Sequence, residues 1–260
     1  MGTWICHLRV AEKLLESLPD LERAAFAFGN LAPDSGVPNH DWTTFDPPKE
    51  VTHFLHRGEG ENKIRDLEFY RAHLQFQAWE DRKEFSYRLG YFAHLLVDRL
   101  WTRLLNPGMK LEAAQLFENL GSDAWWTLKE DWYDLDHRFV RGHRESLFWQ
   151  TIAVQTVPAV TLEIAPKIAL EAQMAYIRDF YADPKPRNLE RTYPHLGEAS
   201  MARFVDDSAE IILEVWWQLE AGARIEALHS GLELIDAQPL EPFVPPLGDG
   251  IDVGHDILNP

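Results

Sequence analysis

An all-α, multi-helix single domain is predicted by three features of the 260-residue chain. Apolar residues recur three and four positions apart from Trp4 to Leu228, the spacing that lines one face of a helix. Pro and Gly clusters separate these segments. No stretch alternates apolar and polar residues over the length of a strand. Hydrophobic residues make up 45% of the chain and aromatic residues 12%, enough to bury a full core and to exclude a disordered chain.

The first helix is predicted over Trp4–Leu18, with Ile5, Leu8, Ala11, Leu14, Leu15 and Leu18 as its apolar stripe. Pro19-Asp20 breaks it and caps a second helix, Leu21 to Leu31, which is small and greasy and therefore buried. Ala32 to Glu50 holds four prolines and many Asp, Asn, Ser and Thr, so it reads as a long ordered loop, and loops of that length are often functional. A Gly-rich break at Gly58 and Gly60 precedes a helix from Ile64 to about Phe76, on which His73 reads as a surface residue. The long central helix runs from Arg82 to Leu105 and is expected to stop at Asn106-Pro107-Gly108-Met109. Further helices follow at Leu111–Leu120, Asp123–Val140, Glu145–Gln155, Thr161–Tyr181 (interrupted at Pro166) and Met201–Leu228. Trp125, Trp126, Leu128, Trp132, Tyr133 and Phe139 read as core. The Pro-rich end reads as an extended tail, giving a domain over 1–237 and a tail over 238–260.

A net charge of −17 argues against nucleic acid or an anionic membrane surface as a general partner. The single cysteine, Cys6, allows no internal disulfide and fits a reducing compartment. His7, Arg9, Glu12 and Lys13 interrupt Met1–Glu16, so no signal peptide is expected. No run approaches a transmembrane span. The expected location is cytoplasmic.

Tyr87, Tyr91, His94, Asp98, Trp101 and Leu105 fall on one stripe of the central helix. An imidazole and a carboxylate on a buried stripe need compensation. A metal ion supplies it, and the i,i+4 spacing lets both side chains reach one ion. The alternative is that Asp98 pairs with Arg99 or Arg103 while His94 is a satisfied core histidine. His7, Asp34 and His53 stand at the edges of the other early buried elements and complete a set of five candidate ligands. Imidazole and carboxylate without thiolate favour Zn²⁺, in one or two ions, with Mn²⁺ or Fe²⁺ compatible. Two ions bridged by a carboxylate and a water would make a hydroxide nucleophile and clamp a phosphoryl oxygen.

Phe28-Gly29-Asn30-Leu31-Ala32-Pro33-Asp34, Thr52-His53-Phe54 and Leu89-Gly90-Tyr91-Phe92-Ala93-His94-Leu95-Leu96-Val97-Asp98 together resemble the zinc-dependent phospholipase C family. The resemblance covers roughly Trp4 to Trp101. It implies an all-α fold shared with single-strand nucleases and a zinc cluster. Residue by residue, it makes His7, His53 and His94 metal ligands, Asp98 a bridging aspartate, and Asp34 a ligand that also acts as a base. The family's later His, His and Glu have no counterpart at the expected spacing: Arg99 to Leu105 contain no His, and His137 and His143 read as surface residues. One or two ions are therefore expected.

The implied activity is a metal-dependent phosphoester hydrolase acting on a phospholipid headgroup or a smaller phosphodiester. Two other readings stand beside it. One is a non-catalytic, metal-stabilised helical scaffold or lipid-binding protein. The other is an HD-type phosphohydrolase using His40-Asp41, which would need that pair on a helix, where Pro38 and Pro47 instead favour a loop. His40 and His56 read as polar loop residues, and His195, His229 and His255 are assigned no role.

Overall fold

A computed structural model describes residues 2–41, 43–56, 58, 64–75, 80–183, 186–235, 240–243 and 245–249. Met1, Gly60, Phe76, His255 and tail positions 238, 239, 244 and 250–260 lie outside the described residues. The fold is all-α. Its sheet among the described residues is a pair of two-residue antiparallel strands, β1 (Val37–Pro38) and β2 (Phe45–Asp46), inside the long loop.

Helix α1 (Trp4–Ser17) starts at Thr3, whose hydroxyl oxygen accepts the Cys6 N–H. It buries Ile5, Cys6, His7, Leu8, Val10, Ala11, Leu14 and Leu15. Helix α2 (Arg23–Leu31) is capped by Glu22 rather than Asp20. The Glu22 carboxylate accepts the Ala25 N–H at 2.6 Å, and its own N–H donates to Ser86 Oγ at 2.8 Å. That tertiary bond decides which acidic residue caps. Helix α3 (Lys49–Thr52) is one turn at the end of the loop, and α4 (Asp66–His73) begins two residues later than expected. His73, expected at the surface, is half-buried, its ring tilted on Phe69 at 4.8 Å.

The central helix, α5 (Arg82–Leu100), starts at Asp81, whose carboxylate accepts the Lys83 and Glu84 N–H groups. Every residue from Leu89 to Leu100 is buried, so α5 is enclosed on all sides. The expected stop at Asn106–Met109 is not observed. The chain passes through a π turn, Trp101–Leu105, into α6 (Asn106–Glu112). Pro107 lacks an N–H, but it falls in the first turn of α6, where that N–H is dispensable.

Helices α7 (Ala114–Leu120) and α8 (Ala124–Gly142) follow, then a short π turn, Phe148–Ile152, in place of the expected helix 145–155. Helix α9 (Lys167–Ala182) begins directly after Pro166. Helix α10 (Glu198–Glu220) ends before the expected Leu228, at Gly222, whose φ of +80° lies in the left-handed region. Trp126, expected in the core, is 62% exposed. Trp101 is fully buried, edge-on to Trp132 and Phe204. In the C-terminal segment Phe243 and Leu247 are buried, and the Phe243 N–H donates to Leu104 O at 2.9 Å. Among the described residues no helix is long and apolar enough to cross a membrane.

The feature that positions the site is the crossing of α2 and α5. A Cβ on Gly90 would stand 2.2 Å from Phe26 O, and one on Gly29 would stand 1.9 Å from Tyr87 O. Both contacts are to backbone, so no side-chain rotation relieves them. Two glycines let the helices touch main chain to main chain.

Candidate metal centre

Close approach of α2 to α5 brings the Asn30 carbonyl 2.8 Å from His94 Nδ1. That nitrogen donates, which leaves Nε2 with its lone pair facing the space between α1, α3 and α5. Asn30 is itself held by its side-chain amide, which donates to Gly90 O at 3.2 Å. His53, just past α3, places Nδ1 2.9 Å from Thr52 Oγ1 and turns Nε2 the same way. Tyr91 supports this turn by donating its hydroxyl to Thr52 O at 2.5 Å.

The structure brings all five candidate ligands together. His7, His94 and Asp98 form one group and Asp34, His53 and His94 a second, with donor atoms in each within 4.8 Å of one another. His7 Nε2 lies 3.3 Å from Asp98 Oδ1, and His53 Nε2 lies 3.4 Å from Asp34 Oδ1. Asp98 Oδ2 stands 3.5 Å from His53 Nε2 and 3.7 Å from His94 Nε2, and the two Nε2 atoms are 3.4 Å apart. A tetrahedral Zn²⁺ with bonds of about 2.0–2.1 Å sets its ligand atoms about 3.3 Å apart, so these spacings fit the edges of such a shell. His7, His53, His94 and Asp98 are at most 1% exposed, and both His7 ring nitrogens and Asp98 Oδ2 have no hydrogen-bond partner. Buried polar atoms left in this state are costly, and a divalent cation would satisfy them.

The protonation states suit ligation. Burial, with the field of His7, pushes the His94 pKa down to about 3, so its imidazole is neutral at pH 7. Burial opposes ionisation of Asp98, but the His7 imidazole 3.3 Å away and neighbouring positive charge outweigh it and hold the carboxyl well below the usual range. Asp34 behaves likewise, with burial overcome by its hydrogen bond to His53 and the fields of His94 and Lys49. Arg99 does not pair with Asp98. It turns to Asp66, with Nε 3.6 Å from Oδ2, on the other side of α5.

Sequence reasoning missed the outer shell. The Gly2 N–H donates to Asp98 Oδ1 at 2.9 Å, and Thr3 Oγ1 donates to buried Asp136 at 2.9 Å. Tyr181 donates to the other Asp136 oxygen at 2.5 Å. Asn30 was legible as a polar residue in a greasy helix; Asp136 left no such signal on a helix crowded with acids. His137, read as a surface residue, is fully buried against Phe180 and Tyr181, with ring centroids 5.1 and 5.2 Å away. His143 is exposed. His40 is 99% exposed and bonded to Asp41 in a turn, so no helical His-Asp pair of the HD type exists there. His56 pairs with Glu68 at 3.0 Å.

Burial raises the Asp136 pKa to about 7, against the hydrogen bonds from Tyr181 and Thr3 and the field of Arg9. Between its ordinary value near 3.8 and 7 the folded chain holds a proton the unfolded chain has released. Stability therefore falls as pH rises through that window and stays lower above it. Asp136→Asn cannot ionise, and relative to wild type it should gain on the order of 4 kcal/mol between pH 4 and pH 8. Melting curves across that range test this; identical pH slopes for the two proteins would refute it.

Asp34, 11% exposed, opens from this cluster into a cavity of about 930 Å³. Its walls include Trp4, Phe45, Trp126, Trp132, Tyr133 and Phe180, with Lys49 and Lys129 among them. The arrangement is a buried cluster of imidazoles and carboxylates able to hold a cation, with one carboxylate lining an aromatic, partly cationic chamber.

Comparison with known proteins agrees with this geometry. A sequence model of the family described as zinc dependent phospholipase C matches residues 6–101, which contain His7, Asp34, His53, His94 and Asp98. No curated protein and no solved structure matches the chain. The donor set and the match together identify the cofactor as Zn²⁺.

Proposed function

We propose that this protein hydrolyses phosphodiesters, with a phospholipid headgroup or a smaller phosphodiester as substrate, a reading supported by the match of residues 6–101 to the zinc-dependent phospholipase C family. His7, Asp34, His53, His94 and Asp98 hold the metal in this reading. One observation carries it: the cluster opens through Asp34 into a chamber large enough for a substrate, rather than being sealed as a structural metal site is.

Bound Zn²⁺ supplies Lewis acidity toward a phosphoryl oxygen and acidifies water. The chain's own groups do the rest. Asp34 is held ionised, and one of its oxygens faces His53 at 3.4 Å. The other takes the proton of the water that attacks phosphorus, and the proton then passes to the leaving alkoxide as the P–O ester bond breaks. The products are a phosphomonoester and an alcohol. Trp132, Tyr133 and Phe180 cover the apolar part of the substrate and exclude bulk water.

Asp34→Asn keeps the size and one ligand oxygen but loses charge and basicity. It should retain measurable zinc while hydrolysis of p-nitrophenyl phosphocholine falls by about 10²–10⁴-fold. Undiminished turnover in Asp34→Asn would remove the base role. Zinc-loaded wild-type protein that cleaves no phosphoester in a broad panel would instead favour the non-catalytic scaffold.

A further inference from the structure

We propose that Lys49 and Lys129 form a subsite for a second anionic group, so that the preferred substrate carries a phosphate beside the scissile phosphodiester. The inference deepens the hydrolase reading and rests on it for the word substrate, though not for the anion site. Lys49 begins α3 and Lys129 lies on α8, yet both line the chamber into which Asp34 opens. Among the described residues neither ammonium has a carboxylate within 4.0 Å. Each stands over an aromatic ring instead: Lys49 Nζ is 4.8 Å from the Phe45 centroid and Lys129 Nζ 4.5 Å from that of Trp126.

Two cations in one chamber are unexpected in a chain with 42 acidic and 25 basic residues. Burial, followed by the field of Lys49, lowers the basicity of Lys129. Both residues line one chamber, so an anion held there would be attracted by both ammonium groups. Asp41 also lines the chamber, but its carboxylate is 74% exposed and bonded to His40. The carboxylates of Asp34 and Asp98 balance the first divalent cation, and a scissile phosphodiester brings one negative charge to the metal. The lysines then remain uncompensated unless the substrate brings a further anionic group. A phosphorylated lipid headgroup and a soluble phosphodiester with a second phosphate share that chemistry.

The test uses the zinc-loaded full chain and two substrate pairs differing by one phosphate. One pair is short-chain phosphatidylinositol with its 4-phosphate; the other is glycerophosphoinositol with its 4-phosphate. Wild type should favour the phosphorylated member by at least roughly tenfold in kcat/KM. K49Q/K129Q should bring that ratio near one. Preference in both pairs assigns the subsite to the phosphate alone; preference confined to the lipid pair assigns it to a phosphorylated headgroup presented on a lipid. Calorimetry with inositol 1,4-bisphosphate against inositol 1-phosphate gives a readout independent of turnover, with the same ratio expected and the same loss. A protein that discriminates these ligands but hydrolyses nothing keeps the subsite and loses the hydrolase reading. Absence of preference in wild type overturns the proposal, as does a ratio untouched in K49Q/K129Q. Equal loss on both members of each pair leaves the ratio untouched and counts the same way, whether it arises at the scissile phosphate or through the field of Lys49 on Asp34. Should the double variant not fold, K49Q and K129Q singly should each lower the ratio about threefold.

Discussion

Asp98→Ala is expected to remove zinc from the protein and to abolish the stabilisation zinc confers. Asp98 is the carboxylate nearest to three imidazoles at once, 3.3 to 3.7 Å from His7, His53 and His94. Its loss deprives the His7–His94 group of its only carboxylate and leaves the Gly2 N–H unpaired. Affinity should fall by more than about 100-fold, beyond the effect of losing an outer-sphere partner. In wild type, a chelator should lower the melting temperature and added Zn²⁺ should restore it, because the cation binds the folded chain alone. In Asp98→Ala neither treatment should move the curve. Full zinc content in Asp98→Ala, or a wild-type protein that neither holds nor takes up zinc, would defeat the assignment of these ligands.

Gly90→Ala should be as damaging, although it adds only a methyl group. In an open helix that change favours folding by about 1 kcal/mol. Here the new Cβ would stand 2.2 Å from Phe26 O and 2.9 Å from Asn30 N. The helices must move apart, which breaks the contact of the Asn30 carbonyl with His94 Nδ1. A loss of roughly 4 kcal/mol or more is expected, together with loss of zinc. Gly142→Ala at the end of α8 is the control, since a Cβ there meets nothing within 4 Å. It should be neutral or slightly stabilising. Comparable melting temperatures for the two variants would show that α2 and α5 tolerate separation.

The parts of this fold legible in the sequence are those where local pattern and burial agree. Helices α1, α2 and α5 have unambiguous apolar faces, and their ends carry Thr3, Pro19 and Asp81, residues that act within a turn or two. His94 and Asp98 were legible because a polar pair on a greasy stripe demands an explanation. Pro107 misled because whether a proline stops a helix depends on the preceding turn, and the π turn at Trp101–Leu105 sits between the core and the C-terminal segment. On α8, aromatic residues occupy several faces, so periodicity alone did not separate exposed Trp126 from buried His137. Lys49 and Lys129 share a chamber only because of tertiary packing, and no local pattern announces it.

Cys6 sits fully buried in α1, directly before His7, and burial drives its thiol far above the ordinary range. A thiol reagent can meet it as thiolate only after the packing around α1 has opened. The chain therefore carries its own clock for the opening of the site, read as the rate at which a maleimide or an aromatic disulfide is consumed. His7 follows Cys6 on the same helix, so a cation that holds His7 in place is expected to slow that clock. Labelling in the presence of graded free zinc then reports occupancy of the closed state without any substrate, and it does so for one helix rather than for the whole protein.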